Sequence, residues 1–546
     1  MTDPASDRSP APAASPDFPV AWLEPADAES TWEWDDMHMP SALAPLAADY
    51  VRTINSGFAY RYHRLEVPVT MLVRVWNGYT YFTLTTDVPE PERPAMFERA
   101  IEARRAHIPL ADAYWRERAI PELRKIYKWV AARPVETLPA PDLADTWHEV
   151  WQRIARCWSI HFYAIVGPYQ VMDDLADLYE SIVEKPAPGE GLALIGGGID
   201  ELQDVEQGLE HLAAMASAVP ALVALLAEPN VTTEQVADVP DATAFVARLD
   251  AFLAAHGHLG QSFDDLALPS WAEAPELLLT ELAKRVEYPP RVGAAERRAR
   301  LATRAEALAD NVRKTLADDP DRRSRFEALL ATARQIGPLT EVHNYWIDRM
   351  AQASLRRFVI RIGRRLVEGD VIDEPADVFF LRLDEVPALL MQPADRRTVV
   401  LDRRNELLHW AAVRPPRHVG KPAVAGQADR FDGERFAPPA PDVLRGTGAS
   451  VGVVRGRARV TRTQADFGSI QPGDIIVCPS SNPSWVPLFG IAGGLITDTG
   501  GVLSHAAVVA REFGLPAVVG TGDATTRIAD GRLVELDGSS GLVRLL

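Results

Sequence analysis

His505 stands in the run TGGVLSHAAVVAREFGLPAVVG, between a glycine pair and an apolar stretch with helical spacing. A neutral imidazole nitrogen can attack a phosphoryl group and hold it as phosphohistidine, and the surroundings suit that chemistry. Ser504 is placed to cap a helix that begins at His505, and a helix start offers unpaired N–H groups and a dipole that attract anions and disfavour a protonated ring. Gly500 and Gly501 let the backbone approach such a group closely. Two further histidines could take the proton of an acceptor hydroxyl. His343 shares a predicted helix face with Ile347, Met350, Ser354, Phe358 and Ile362, and His258 lies between Gly257 and Gly260 in GHLG. Asp265, Glu341 and Asp348 are weaker candidates, because carboxylates on long helices are mostly solvated. Each of these side chains could equally be a hydrogen-bonded residue without chemistry, as a lone histidine most often is.

The elements that must position these groups change class along the chain. Around His505 the pattern predicts a buried strand in AGGLIT, a loop from Thr497 to Gly501, a helix HAAVVAREF stopped by Gly514 and Pro516, and a strand PAVVG. Short β runs such as VGVVRGRARV and DIIVCPS surround it, so this C-terminal part reads as α/β. The earlier part is mainly helical, with long Ala, Leu, Glu and Arg-rich segments at Asp200 to Ala227 and Ala294 to Leu316. One insertion there is β: VPVTMLVRVWNGYTYFTLTT places Asn77-Gly78 between two β-prone runs, a hairpin signal. Trp147, Trp151, Trp158 and Phe162 fall near one helical stripe with His148 and His161 beside it, a pattern that is core more often than cofactor box. The expected units are a disordered tail over 1–20, a mainly helical domain over 21–412, a proline- and glycine-rich flexible linker over 413–448, and the α/β domain over 449–546.

The long pattern GGVLSHAAVVAREFGLPAVVGTG resembles the mobile phosphohistidine domain of the phosphoenolpyruvate-utilising enzymes, which include phosphoenolpyruvate synthase, pyruvate phosphate dikinase and rifampin phosphotransferase. The resemblance implies a swivelling carrier domain with His505 as the phosphorylated residue and Thr497, Gly500, Gly501, Ser504 and Arg511 around the phosphate. FLAAHGHLGQSFDDLALPSWAEAPELL and LTEVHNYWIDRM are similar to segments of the substrate-binding domain in rifampin phosphotransferase-like proteins. That likeness implies Phe263, Asp265, Trp271 and Glu341 as substrate-binding residues. Where the family segment reads G-H-R-G-x-x-E and P-R-W, this chain has Leu259, Phe263 and Ser270, a loss of charge that points to a small neutral hydroxylated aromatic such as phenol or cresol.

Relatives of this kind add an ATP-grasp domain and a phosphoenolpyruvate-binding barrel of roughly 250 residues. Neither is expected on this chain. The resemblance therefore points to a split enzyme, like phenylphosphate synthase and the 4-cresol-phosphorylating enzymes, with ATP and Mg²⁺ on a separate ATP-grasp subunit and no metal ligands expected on this chain. A rifampin-type antibiotic phosphotransferase component and a non-catalytic phosphocarrier or regulatory protein are the alternatives.

Composition narrows the classes further. A net charge of -19 over 546 residues argues against a nucleic-acid partner. No run approaches the ~18 apolar residues of a membrane span, and MTDPASDRSPAPAASPDFP is not a signal peptide. Two cysteines, Cys157 and Cys478, fit buried thiols in a reducing cytosol, so a cytoplasmic protein is expected.

Overall fold

The computed structural model describes residues 18–546 apart from 37, 66, 188, 197–199, 261–264, 291, 422–439, 441, 462–465, 467–468, 482–485 and 503. The central part of the expected linker, most of the expected tail and the candidate Phe263 lie outside the described residues.

Alternation of apolar side chains along Ala140–Ala164 at helical spacing puts Leu143, Trp147, Val150, Trp151, Ile154, Cys157 and Trp158 on buried positions. They meet the helices Val166–Ile182 and Met350–Glu368 in the main core. The aromatic stripe is thus core, and both cysteines are free and buried. A second helical core gathers Leu209, Phe252, Trp271 and Leu278 under the helices Asp200–Ser217 and Pro275–Glu287.

Close helix packing fixes some glycines. A Cβ at Gly363, in the helix Met350–Glu368, would stand 2.1 Å from the Pro375 carbonyl oxygen. Gly363→Ala is expected to cost about 1–3 kcal/mol through the shift this contact forces, read as a lowered denaturation midpoint.

The hairpin forms where the Asn77-Gly78 signal predicts. Strands β1 (Thr31–Trp34), β2 (Thr70–Trp76), β3 (Tyr79–Thr85) and β4 (His418–Gly420) make one antiparallel sheet in the order β2-β3-β1-β4. Asn77 and Gly78 both have positive φ, 52° and 80°, as a tight hairpin turn requires. Two boundaries need correction. β4 lies inside the stretch expected to be linker, yet Val419 pairs with Trp32, and the Tyr79 and Tyr81 hydroxyls donate to the Val413 and Pro416 carbonyls. Phe18, expected in the tail, is fully buried against Tyr79, Tyr81 and Trp410. In both places burial of aromatic surface overrides a composition that reads as loop.

The C-terminal part is built on an eight-stranded mixed sheet of β5 (Val443–Arg445), β6 (Thr447–Ser450), β7 (Val453–Val460), β8 (Ile475–Cys478), β9 (Gly494–Thr497), β10 (Ala517–Val519), β11 (Leu533–Asp537) and β12 (Leu542–Leu545). Its order is β5-β12-β11-β7-β8-β9-β10-β6, and β7-β8-β9-β10 run parallel. Side chains alternate across it: Ile475 and Val477 join one core, Ile476 and Cys478 the other. The domain thus includes residues 443–448, which the composition had assigned to the linker. Among the described residues no single helix is long and apolar enough to cross a membrane.

Candidate functional site

β9 delivers the chain to a loop that turns into the helix His505–Phe513. The turn needs a glycine at 500: its φ is 104°, and a Cβ there would approach the Ser504 Oγ to 2.8 Å. Gly501 faces open space instead. Ser504 caps the helix, its Oγ accepting from the Ala507 N–H at 3.4 Å, and Gly514 ends it in the left-handed region at φ 61°. His505 therefore sits at the first helical position, as its sequence context predicts.

Its ring does not face solvent. The α/β domain is docked on the helical domain, and His505 Nδ1 lies 3.1 Å from Oε2 of Glu341, whose side chain is 6% exposed. A carboxylate can only accept when ionised, so this contact places the proton on Nδ1 and the lone pair on Nε2. Nε2 is buried and has no hydrogen-bond partner among the described residues. The same Glu341 oxygen also accepts from Asn344 Nδ2 at 3.2 Å. Around this contact the two domains meet through Arg297, stacked 4.4 Å from the Phe513 ring, and through the Tyr288 hydroxyl, which donates to Gln471.

Behind Glu341 the helix Leu339–His343 passes into a π-helical turn, Asn344–Arg349, before continuing as Met350–Glu368. A π turn brings residues five apart onto one side and is often found at functional sites. Here it stacks Asp348 with His343, and both meet His161 from the helix Ala140–Ala164. His161 Nδ1 is 2.8 Å from Asp348 Oδ1, and the His161 and His343 rings pack edge to face at 4.4 Å. The His343 Nδ1–H donates to the Leu339 carbonyl at 2.8 Å. Burial holds His343 down to about 4, and His161 adds to the effect. The Tyr169 hydroxyl is pushed well up, first by burial and then by the charges of Glu341 and Asp348. Trp158 and Phe162 lie against the His161 ring at 5.3 and 4.5 Å, and Phe58 stacks on Phe162 at 4.1 Å. The result is a polar group with an aromatic wall.

The sequence candidates divide accordingly. Glu341 comes to the docked histidine, with His343 two residues on in the same helix, and the expectation that Glu341 and Asp348 are solvated is overturned: both are buried, Glu341 against His505 and Asp348 against His161. His258 lines a different cleft with Gly260, Ser270, Arg349, Gln352 and Arg356, a lining that includes none of His505, Glu341 and His343. It packs on the Tyr345 ring at 4.5 Å, and burial holds it down to about 3. Arg349 and the Arg356–Glu273 pair, 3.0 Å apart, restore to this cleft the charge that the altered motif suggested was lost. Asp265 accepts from the Ala267 N–H at 2.8 Å, and Trp271 packs on Phe252 in the second core; neither touches the docked ring. Thr497 donates its hydroxyl to the Thr499 carbonyl at 2.7 Å, which makes it a brace of the loop. Arg511 lies at the domain contact, where it donates to the Ala449 carbonyl and is held down to about 10 by burial. Sequence reasoning left out Tyr169 and gave His161 no role beyond the stripe.

Two segments of the chain match known protein families. Residues 470–541 match the PEP-utilising enzyme mobile domain, and residues 174–341 match the rifampicin phosphotransferase fourth domain. The chain is 31% identical to part of the chondramide synthase cmdD of Chondromyces crocatus, with 99% of this chain and 14% of that protein aligned. The uncharacterized phosphotransferase YvkC of Bacillus subtilis is 26% identical over 71% of this chain and 47% of its own length. A rifampicin phosphotransferase of Streptomyces sviceus is 28% identical over 76% of this chain and 48% of its own. The chain thus spans half or less of the length of each of these relatives. The NMR solution structure of Enzyme I aligns with 44% of this chain and 64% of its own at 16% identity and a TM-score of 0.14, too slight an overlap to carry an argument about fold. His505 lies inside one matched segment and Glu341 closes the other, so the chain carries a segment similar to the mobile domain of the PEP-utilising enzymes and a segment similar to the fourth domain of rifampicin phosphotransferase.

Proposed function

We propose that this chain is a phosphotransferase component in which His505 carries a phosphoryl group and delivers it to the hydroxyl of an acceptor bound in the helical domain. The observation that carries this reading is the docked His505 itself: Nδ1 is held by Glu341, and Nε2 is buried without a partner among the described residues. In the transfer the acceptor oxygen forms a bond to phosphorus while the P–Nε2 bond breaks. The electron pair returns to Nε2, and the ring keeps its proton on Nδ1 against Glu341. The acceptor hydroxyl gives up its proton to water beside the buried group of His343, His161 and Asp348. Positioning and charge stabilisation supply most of the rate.

A carrier needs a donor, and in this reading the donor is ATP with Mg²⁺ on a separate ATP-grasp subunit, reached when the α/β domain swings away. ATP alone is expected to leave His505 unlabelled, and ATP with that subunit to label it, as read by mass spectrometry under alkaline conditions. Labelling without any partner overturns the split. The acceptor we favour is a small hydroxylated aromatic of the phenol or cresol kind, supported by the wall of Trp158, Phe162 and Phe58 beside the polar group. A rifampin-type acceptor is the second reading, favoured by the likeness of residues 174–341 to a rifampicin phosphotransferase domain. A panel of simple phenols against rifamycins separates the two.

A further inference from the structure

We propose that His161, His343 and Asp348 form a divalent-metal site in the helical domain, behind Glu341 and the docked His505. Their ligand atoms all lie within 4.8 Å of one another, and all three residues are buried. Two independent features prepare them for an ion. The Leu339 carbonyl accepts from His343 Nδ1, so the proton is fixed there and the Nε2 lone pair is left free, which is how a ligating imidazole is usually oriented. Asp348 is 1% exposed, yet its Oδ2 has no partner among the described residues. A buried carboxylate oxygen without a donor is costly, and a cation removes that cost.

The spacing fits as well. Two ligands each about 2.1 Å from one ion stand about 3.0 to 3.4 Å apart for angles between 90° and the tetrahedral value. His161 Nδ1 and Asp348 Oδ1 are 2.8 Å apart, so an opening of a few tenths of an ångström replaces their shared proton by the ion. Two imidazoles and one carboxylate suit Zn²⁺, Mn²⁺, Fe²⁺ or Co²⁺ better than Mg²⁺ or Ca²⁺, which favour all-oxygen shells.

The role of the ion rests on the phosphotransfer reading; its binding does not. A phosphoryl group on His505 would come beside the buried carboxylate of Glu341, with Asp348 behind it, and anionic oxygens there need a positive partner. The ion polarises the acceptor hydroxyl, whose proton leaves to water as its oxygen bonds to phosphorus and the P–Nε2 bond breaks.

The test uses the full chain, stripped with a chelator and then titrated with Mn²⁺ or Zn²⁺. One ion per chain is expected, with affinity falling at least about 100-fold in Asp348→Asn and His161→Gln and unchanged in His211→Gln, an exposed histidine elsewhere. Electron paramagnetic resonance of Cu²⁺-loaded wild type should show couplings from two imidazole nitrogens, a readout that stands even if the variants fail to fold. No stoichiometric ion in the wild type, or spectra without imidazole coupling, overturns the site. If His505 is phosphorylated and discharged at full rate in the stripped chain, the ion's role in transfer falls and the transfer reading stands. If the ion binds as described but no donor ever phosphorylates His505, the transfer reading falls and the metal site stands.

Discussion

His505→Ala abolishes phosphorylation of the acceptor and leaves the fold in place. The loss is expected to be complete within detection, because a methyl group offers no nucleophile and the mechanism has no other carrier. The fold survives because the features that build the local helix lie in other residues: the Ser504 cap, the positive φ of Gly500 and the left-handed Gly514. Removing the imidazole takes one hydrogen bond from Glu341, but Asn344 still donates to the same oxygen. The stability cost should therefore stay within about 1–3 kcal/mol, that of one lost partner at a buried acceptor. Circular dichroism and a thermal melt check the fold, and acceptor phosphate in the presence of the donor subunit checks the activity. Turnover that persists in this variant removes the phosphohistidine mechanism.

The unequal legibility of these features has a physical origin. The helix at His505 is specified by residues in contact along the chain, namely a serine cap, an apolar period and a glycine stop, so its position could be read directly. The hairpin at Asn77-Gly78 is local for the same reason. The pairing of β1 with β4 is not local: Arg417 and Glu33, 384 residues apart, meet at 2.7 Å, and three short residues of β4 carry no pattern that separates them from loop. The site shows the same divide. His343 was legible as an inward residue of a predicted continuous helix, but the π turn at Asn344–Arg349 moves Asp348 beneath it, and nothing in the periodicity of that segment announces a widened turn. His161 reaches Asp348 across 187 residues, a juxtaposition created only by packing of the main core. Glu341 illustrates the limit of a burial rule applied to a carboxylate: charged residues are usually outside, and the exceptions are those that gain a specific partner, here a histidine from another domain.

Glu341→Gln should slow delivery to the acceptor by about 10²- to 10⁴-fold while leaving the charging of His505 nearly unchanged. The size follows from the proton that Glu341 controls. A carboxylate can only accept, so it selects the ring with hydrogen on Nδ1, and that ring departs from phosphorus as a neutral imidazole. A glutamine amide can turn and donate to Nδ1 instead. This favours a ring without that hydrogen, which would have to leave as an imidazolate, a far poorer leaving group. Loss of the orienting carboxylate costs about 10⁴ in the Ser-His-Asp arrangement, where the same tautomer problem arises. The steric change is small, and the Gln side chain can still meet Asn344, so the domain contact through Arg297 and Phe513 should persist. Charging escapes the penalty because His505 has then left Glu341 for the donor. Single-turnover measurements separate the steps: labelling of His505 by donor and ATP, then discharge of the isolated phosphorylated chain into acceptor. A variant in which both steps fall together, or in which discharge is unaffected, shows that the contact between His505 and Glu341 does not govern the proton of the leaving imidazole.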